Sequence, residues 1–388
     1  MVRALLYLPD DAAPSLAAAS VAGRTLAVRT MVAALRVGAS PVAVPSRLRD
    51  AEVERALLRM PALAAAVRWL TPGAPVPAAE RAPWLLLPAS SLIHVSALAP
   101  LLATPAPRGA VLAPSAAGPA PVALVPAPLV AELWTDLAAG RPVGARLTRR
   151  LVEAEARETT GPYAAVREAS DLAQAEQALE ATLGIAADSG VDRYLHRRGS
   201  RCISRLLVRT PVAPNQVSLV SLVIGLVAIW CFWHATAASA WLGVLVYALA
   251  CVVDHADGEI ARLTFQESRL GANLDWTIDT IIHVGIVLGL GVSSGGRLMG
   301  VIGLLGATGV TLSAVFARYL PREIEIGPTV GGVLAHIANR DLFYIVLISF
   351  AALRWLAPSL VFVVAVVVAV GSQAYWVGCL ARIRRLRS

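Results

Sequence analysis

From about Gln216 onward, apolar runs of about twenty residues recur, the length a helix needs to cross a bilayer. Six spans are expected: 216–236, 239–263, 269–293, 298–320, 341–357 and 359–381. The connections near Ala237, Ser294 and Pro358 are short and poor in charge. Those on the other side carry Arg262, Arg269, Arg318, Arg322 and Arg340, and the tail adds Arg382, Arg384, Arg385 and Arg387. Basic loops stay inside, so both termini are expected in the cytoplasm. Composition agrees: 57% of residues are hydrophobic and 15% charged. Soluble domains carry about 25% charged residues, so a wholly soluble chain and a disordered one are both excluded.

All 34 basic residues are arginine, so no chemistry here depends on a lysine. The net charge of +8 is read as arginines at a membrane surface, with membrane lipids and not nucleic acid as partners. Cys202, Cys231, Cys251 and Cys379 have no metal-type or disulfide spacing and are expected to pack as small apolar residues.

Residues 1–185 contain no run long enough to span, and Met1 to Pro9 lacks the pattern of a signal peptide, so this part is expected in the cytoplasm. Arg3–Leu8, Pro41–Val44, Trp84–Leu87 and Val122–Val125 read as strands, and Thr25–Val37 as a helix. Strands alternating with helices predict a Rossmann-like α/β domain with a mostly parallel sheet. Pro72–Pro77 and Pro119–Pro128 read as loops. Residues 186–214 form a linker, and its arginine-rich part, Val191–Thr210, reads as an amphipathic helix at the membrane surface. A simple basic stop before the first span explains the same charge. Residues 215–388 make an all-α, six-helix transmembrane domain.

The second expected span holds Asp254 and Asp257, and the third holds Asp275 and Asp279. A carboxylate at the centre of a membrane helix costs about 2.5–3.5 kcal/mol and marks function. Spacings of i,i+3 and i,i+4 put each pair on one helix face. The short connection makes the two helices antiparallel neighbours, so all four carboxylates converge. Hard oxygen ligands of this kind suit Mg²⁺ or Mn²⁺, with room for two ions. Gly258, Ala261 and Gly271 lie on the same stripes and leave space for a ligand, although small residues also serve close helix packing. Arg262 suits phosphate oxygens, or else anchors the helix end at the membrane surface. Glu259 and His255 project elsewhere and are set aside.

Asp254-His-Ala-Asp257-Gly258-Glu-Ile-Ala261-Arg262, followed by Gly271, Asp275 and Asp279, matches D-x2-D-G-x2-A-R-x8-G-x3-D-x3-D at every fixed position. This resembles the CDP-alcohol phosphotransferase family of six-helix membrane enzymes, over roughly 190–388. Pro214-Asn215-Gln216-Val217-Ser218 resembles the start of that family's first span. The resemblance implies transfer of a phosphoryl-alcohol group from a CDP-alcohol to an acceptor alcohol or phosphorylated polyol, with release of CMP. It implies metal at Asp254, Asp257 and Asp275, with Asp279 as a further ligand and the general base. Gly258, Ala261, Arg262, Gly271 and Asn215 would contact CDP, and a homodimer is implied as well.

Within the family, a subgroup makes di-myo-inositol-phosphate phosphate and fuses a cytidylyltransferase domain to the membrane enzyme. Ala22-Gly23-Arg24-Thr25-Leu26-Ala27-Val28-Arg29 and Ser40–Pro45 resemble parts of such a nucleotidyltransferase. Yet Tyr7-Leu8-Pro9-Asp10-Asp11 stands where a Gly-rich phosphate loop is expected, and Trp84-Leu-Leu-Leu-Pro88-Ala89-Ser90 lacks a metal-binding aspartate. The domain therefore reads as a degenerate nucleotidyltransferase. A bifunctional enzyme that makes its own CDP-alcohol is the rival reading, and a divalent-cation transporter is an alternative of another class. Arg318, Arg322 and Arg340 are candidates for holding an acceptor phosphate, with Arg318 first; topological charge accounts for them equally well.

Overall fold

The computed structural model describes residues 2–10, 13–76, 82–113, 120–159, 161–184, 190–234, 236–319 and 340–387. The chain divides into two compact units, Met1–Leu183 and Gly184–Ser388. Strands of the first are β1 (Arg3–Tyr7), β2 (Ser20–Val21), β3 (Arg24–Thr25), β4 (Val42–Pro45), β5 (Val67–Leu70), β6 (Trp84–Pro88), β7 (Ser91–Ile93), β8 (Ala110–Leu112), β9 (Ala123–Val125), β10 (Glu155–Arg157) and β11 (Tyr163–Ala165). Its helices are α1 (Leu26–Arg36), α2 (Ala51–Arg59), α3 (Pro61–Ala66), α4 (Val95–Leu102), α5 (Ala127–Ala138), α6 (Gly144–Arg150) and α7 (Asp171–Glu180).

Seven strands form one sheet in the order β10-β8-β9-β6-β1-β4-β5. All pairs are parallel except those of β9, which runs antiparallel to β6 and β8. The run β5-β4-β1-β6 has the 3-2-1-4 order of a doubly wound half. Leu5 pairs with Leu86 and with Ala43, and these central strands are almost wholly buried, as their continuous apolar runs require. Thr25 caps α1 by accepting the Val28 N–H.

Strands β5, β8 and β10 are not apparent from sequence. They have three or four residues, and β5 follows α3 without a turn signal. The Pro119–Pro128 stretch is not all loop, because α5 starts within it. Pro128 lies in the first turn of α5, where its missing N–H costs no helical bond. Pro77 and Pro119 lie outside the described residues. At the end of β1, the Asp10 carboxylate accepts the Ala145 N–H at the start of α6. This aspartate holds a helix end; Asp11 lies outside the described residues.

The second unit is helical: α8 (Arg197–Leu207), α9 (Pro214–His234), α10 (Ala237–Thr264), α11 (Arg269–Ser293), α12 (Gly296–Tyr319), α13 (Arg340–Leu356) and α14 (Val361–Arg387). Among the described residues, five helices are long and apolar enough to cross a membrane: α9, α10, α11, α12 and the stretch Pro358–Gly378 leading into α14. The expected span 341–357 corresponds to α13, of which Arg340–Leu356 is described; it is not among these five. Arg322 and residues 320–339 around it lie outside the described residues. Cys231 and Cys251 are buried, whereas Cys202 is exposed on α8 and does not pack as expected.

Helix α9 holds the bundle together. Both α10 and α11 pack along it, while backbone contact between α10 and α11 themselves is slight. The two expected antiparallel neighbours thus meet through side chains and not through close backbone packing. Each leans on α9. Glycine makes the α9–α11 contact tight. A Cβ on Gly225 would lie 2.3 Å from the Ile282 Cδ1, and one on Gly285 2.5 Å from the Ile229 Cδ1. In lipid, where apolar burial drives little association, such close packing supplies the cohesion.

Candidate active site

The sequence between α10 and α11 determines how the aspartates meet. Helix α10 ends at Phe265 in the left-handed conformation (φ 59°), whose N–H bonds back to the Ala261 carbonyl. Ser268 then caps α11 by accepting the Gly271 N–H at 3.0 Å. This tight reversal places Asp254 and Asp257, near the end of α10, opposite Asp275 near the start of α11.

A cavity of about 390 Å³ lies between these helices. It is lined by Asp254, Asp257 and Asp275, by Asn215, Gly258, Ala261, Arg262 and Gly271, and by Arg340 of α13. Oxygens of Asp254, Asp257 and Asp275 lie within 4.8 Å of one another. Asp254 and Asp257 are buried, and the Asp254 Oδ1 has no hydrogen-bond partner. Three converging carboxylates with an orphaned buried oxygen fit a hard divalent cation. Asp279, one turn further along α11, is not among the lining residues. Its Oδ2 accepts from the Arg340 Nη2 at 3.0 Å.

The small residues are needed where they stand. A Cβ on Gly258 would lie 3.3 Å from the Arg262 Nη1, and one on Gly271 3.2 Å from the Asn215 Oδ1. The Arg262 guanidinium thus lies across Gly258, and its buried Nε has no hydrogen-bond partner. Arg318 lies elsewhere: it stacks 4.7 Å from the Trp276 ring centre, donates to Asn273, and does not line the cavity.

Several residues acquire places that spacing did not suggest. Ser218, one turn into α9, donates to the Asp257 Oδ2. His255, set aside above, lines the cavity, with its ring nitrogens 3.1 and 3.2 Å from the Arg340 Nη1. Glu259, also set aside, is fully buried against α8. It accepts from Arg197 at 3.1 Å and from the Ser200 and Ser204 hydroxyls at 2.8 and 2.7 Å. The face that α8 turns to the bundle thus combines these polar groups with Ile203 and Leu207, while Leu206, and Tyr194 and Leu195 just before the helix, are exposed. Removing one partner of a buried ion pair costs roughly 3–5 kcal/mol. Glu259→Ala is accordingly expected to lower the thermal midpoint in detergent markedly, read by intrinsic fluorescence. A midpoint equal to wild type would mean that this pair does not hold α8.

Before α8, the turn Asp192–His196 forms a second polar cluster. The Asp192 Oδ1 lies 2.8 Å from the His196 Nδ1, 3.3 Å from the His255 Nε2 and 3.5 Å from the Arg340 Nη1. Burial pushes the Asp192 carboxyl up, but hydrogen bonds from His196 and His255 and the Arg340 charge outweigh it. The group is held far below the usual carboxylate range.

A bundle of apolar helices with a carboxylate cluster on two of them defines a class of helical membrane domain with an acidic site. The CDP-alcohol phosphatidyltransferase family model matches residues 211–371. A Rubrobacter xylanophilus protein named "Bifunctional IPC transferase and DIPP synthase" is 33% identical over 159 residues, 39% of this chain and 34% of that protein. A Thermococcus kodakarensis protein of the same name is 35% identical over 95 residues, 24% of this chain and 21% of that protein. A Mycobacterium tuberculosis protein provisionally named as a cardiolipin synthase is 33% identical over 136 residues, 32% of this chain and 63% of that protein. The matches thus span about a third or less of the two bifunctional relatives.

Proposed function

We propose that the second unit is a metal-dependent CDP-alcohol phosphotransferase. The observation that carries this reading is the cavity in which Asp254, Asp257 and Asp275 converge beside Arg262. Asp254, Asp257 and Asp275 hold divalent metal, with Asp279 as a further ligand when two ions are present. Mg²⁺ or Mn²⁺ held by these carboxylates would supply charge neutralisation at the pyrophosphate and so make CMP a better leaving group. Arg262 binds donor phosphate oxygens, and Gly258, Ala261, Gly271 and Asn215 form the wall against the CDP moiety.

Asp279 takes the proton from the acceptor hydroxyl as its oxygen bonds to the phosphorus bearing the donor alcohol. The anhydride bond to CMP breaks in the same displacement. Arg340, not Arg318, is the acceptor-side arginine in this reading, because it lines the cavity and contacts Asp279. The first unit serves without nucleotidyl transfer of its own, since Asp10 is committed to the start of α6.

In the membrane, α13 completes six spans with the site on the cytoplasmic side, where the arginines gather. The exposed Tyr194, Leu195 and Leu206 of the α8 region meet the lipid surface, and the protein works as a homodimer.

The test is CMP release by the purified full-length protein with Mn²⁺. CDP-diacylglycerol and CDP-inositol are offered separately, each with inositol phosphate or glycerol phosphate. Release with one pair, absent in EDTA, is expected and names the substrate class. Absence of both CMP release and CDP-alcohol binding across the whole panel would overturn the reading.

A further inference from the structure

Arg340 belongs to two groups of acids at once. Its Nη2 donates to the Asp279 Oδ2 at 3.0 Å and lies 3.4 Å from the Asp254 Oδ2. Its Nη1 lies 3.5 Å from the Asp192 Oδ1 and beside the His255 ring. One guanidinium thus bridges the carboxylates of α10 and α11 to the turn that precedes α8. That turn is itself tied to the start of α13. The Gly190 and Val191 N–H groups each donate to the Asp341 carboxylate at 2.9 Å, and the His196 Nε2 lies 2.7 Å from the Tyr344 hydroxyl. Asp192, His196 and His255 have ligating atoms close enough to suggest a metal site of their own. The Arg340 guanidinium already supplies the positive charge there, which argues against one.

We propose that Asp192 is a positioning residue: by holding one amino group of Arg340, it keeps the guanidinium from collapsing onto the aspartates that bind metal. The physical basis is competition. A guanidinium side chain 21% exposed, among Asp254, Asp257, Asp275 and Asp279, is drawn to whichever carboxylates are nearest. Asp192 is the opposing charge. Without it, Arg340 moves fully onto Asp254 and Asp279 and covers oxygens that a divalent cation requires. This inference rests on the phosphotransferase reading above, but its main readout is metal binding and does not depend on the identity of the substrates.

The experiment measures Mn²⁺ affinity by electron paramagnetic resonance in the full-length protein. Asp192→Asn keeps the size and an acceptor for His196 but removes the charge. It is expected to weaken Mn²⁺ binding about tenfold, the lower end of what partners beyond the metal ligands contribute. With a working substrate pair, kcat falls and the donor KM changes little. In an Arg340→Ala background the same substitution is expected to have no effect on Mn²⁺ affinity, because no guanidinium remains to be held. A merely structural role would lower affinity equally in both backgrounds, and that result overturns the proposal. So does an Asp192→Asn affinity within twofold of wild type. If wild type itself binds no Mn²⁺, the phosphotransferase reading fails and takes this inference with it.

Discussion

Asp279→Asn is expected to abolish CMP release while leaving CDP-alcohol binding close to wild type. Asparagine retains an oxygen that accepts from the Arg340 Nη2, so the geometry around the guanidinium survives. What disappears is the group that takes the acceptor's proton. General-base catalysis contributes roughly 10²–10⁴-fold, so the loss should fall in that range or reach the detection limit. Single-turnover CMP release and equilibrium binding of the donor, measured on the same preparation, separate the two effects. Full turnover in Asp279→Asn would remove it from the mechanism. Loss of donor binding along with turnover would recast it as a metal ligand alone.

Asp257→Ala should produce the other large effect, on binding and not on the proton. Asp257 contributes an oxygen to the three-carboxylate cluster and accepts from Ser218 on α9. Partners beyond the metal ligands are worth about 10–100-fold in affinity, so loss of a ligand itself should cost about 100-fold or more. The clearest readout is donor binding with Mn²⁺ and with EDTA. Wild type should show a large difference and Asp257→Ala almost none. Asp257→Asn, which retains an acceptor for Ser218, controls for disturbed α9–α10 packing. Equal metal dependence in wild type and Asp257→Ala would remove Asp257 from the metal site.

Much of this protein is legible from pattern because it depends on local spacing. An apolar run of about twenty residues is committed to helix by the bilayer whatever its neighbours do. Helices α9 to α12 accordingly lie within two residues of the expected spans. Central strands such as β1 and β6 are continuous apolar runs and were equally visible. Short strands with one polar face, β5 and β10, were not. Three or four residues carry no period, and only pairing in the sheet makes them strands.

The aspartate motif shows the same division. Its spacing alone puts two carboxylates on one face of each helix, and Gly258, Ala261, Arg262 and Gly271 beside them. That follows from 3.6 residues per turn and needs no tertiary information. Which charge neutralises the cluster does not follow. Arg340 stands 61 residues from Asp279 in sequence, and Asp192 148 residues from Arg340. Only the packing of α10 against α8 and α13 brings these groups together. Glu259 and His255 make the point within one helix. Glu259 lies on another face and His255 borders the cavity, but neither occupies a fixed position of the motif, so the motif is silent about them. One is the buried acceptor for α8, and the other borders the guanidinium. Sequence by itself determined the helices and the identity of the acids, because both are set by neighbours along the chain. The tertiary structure alone decided the counter-cation and its anchor, because a long-range ion pair leaves no period in the sequence.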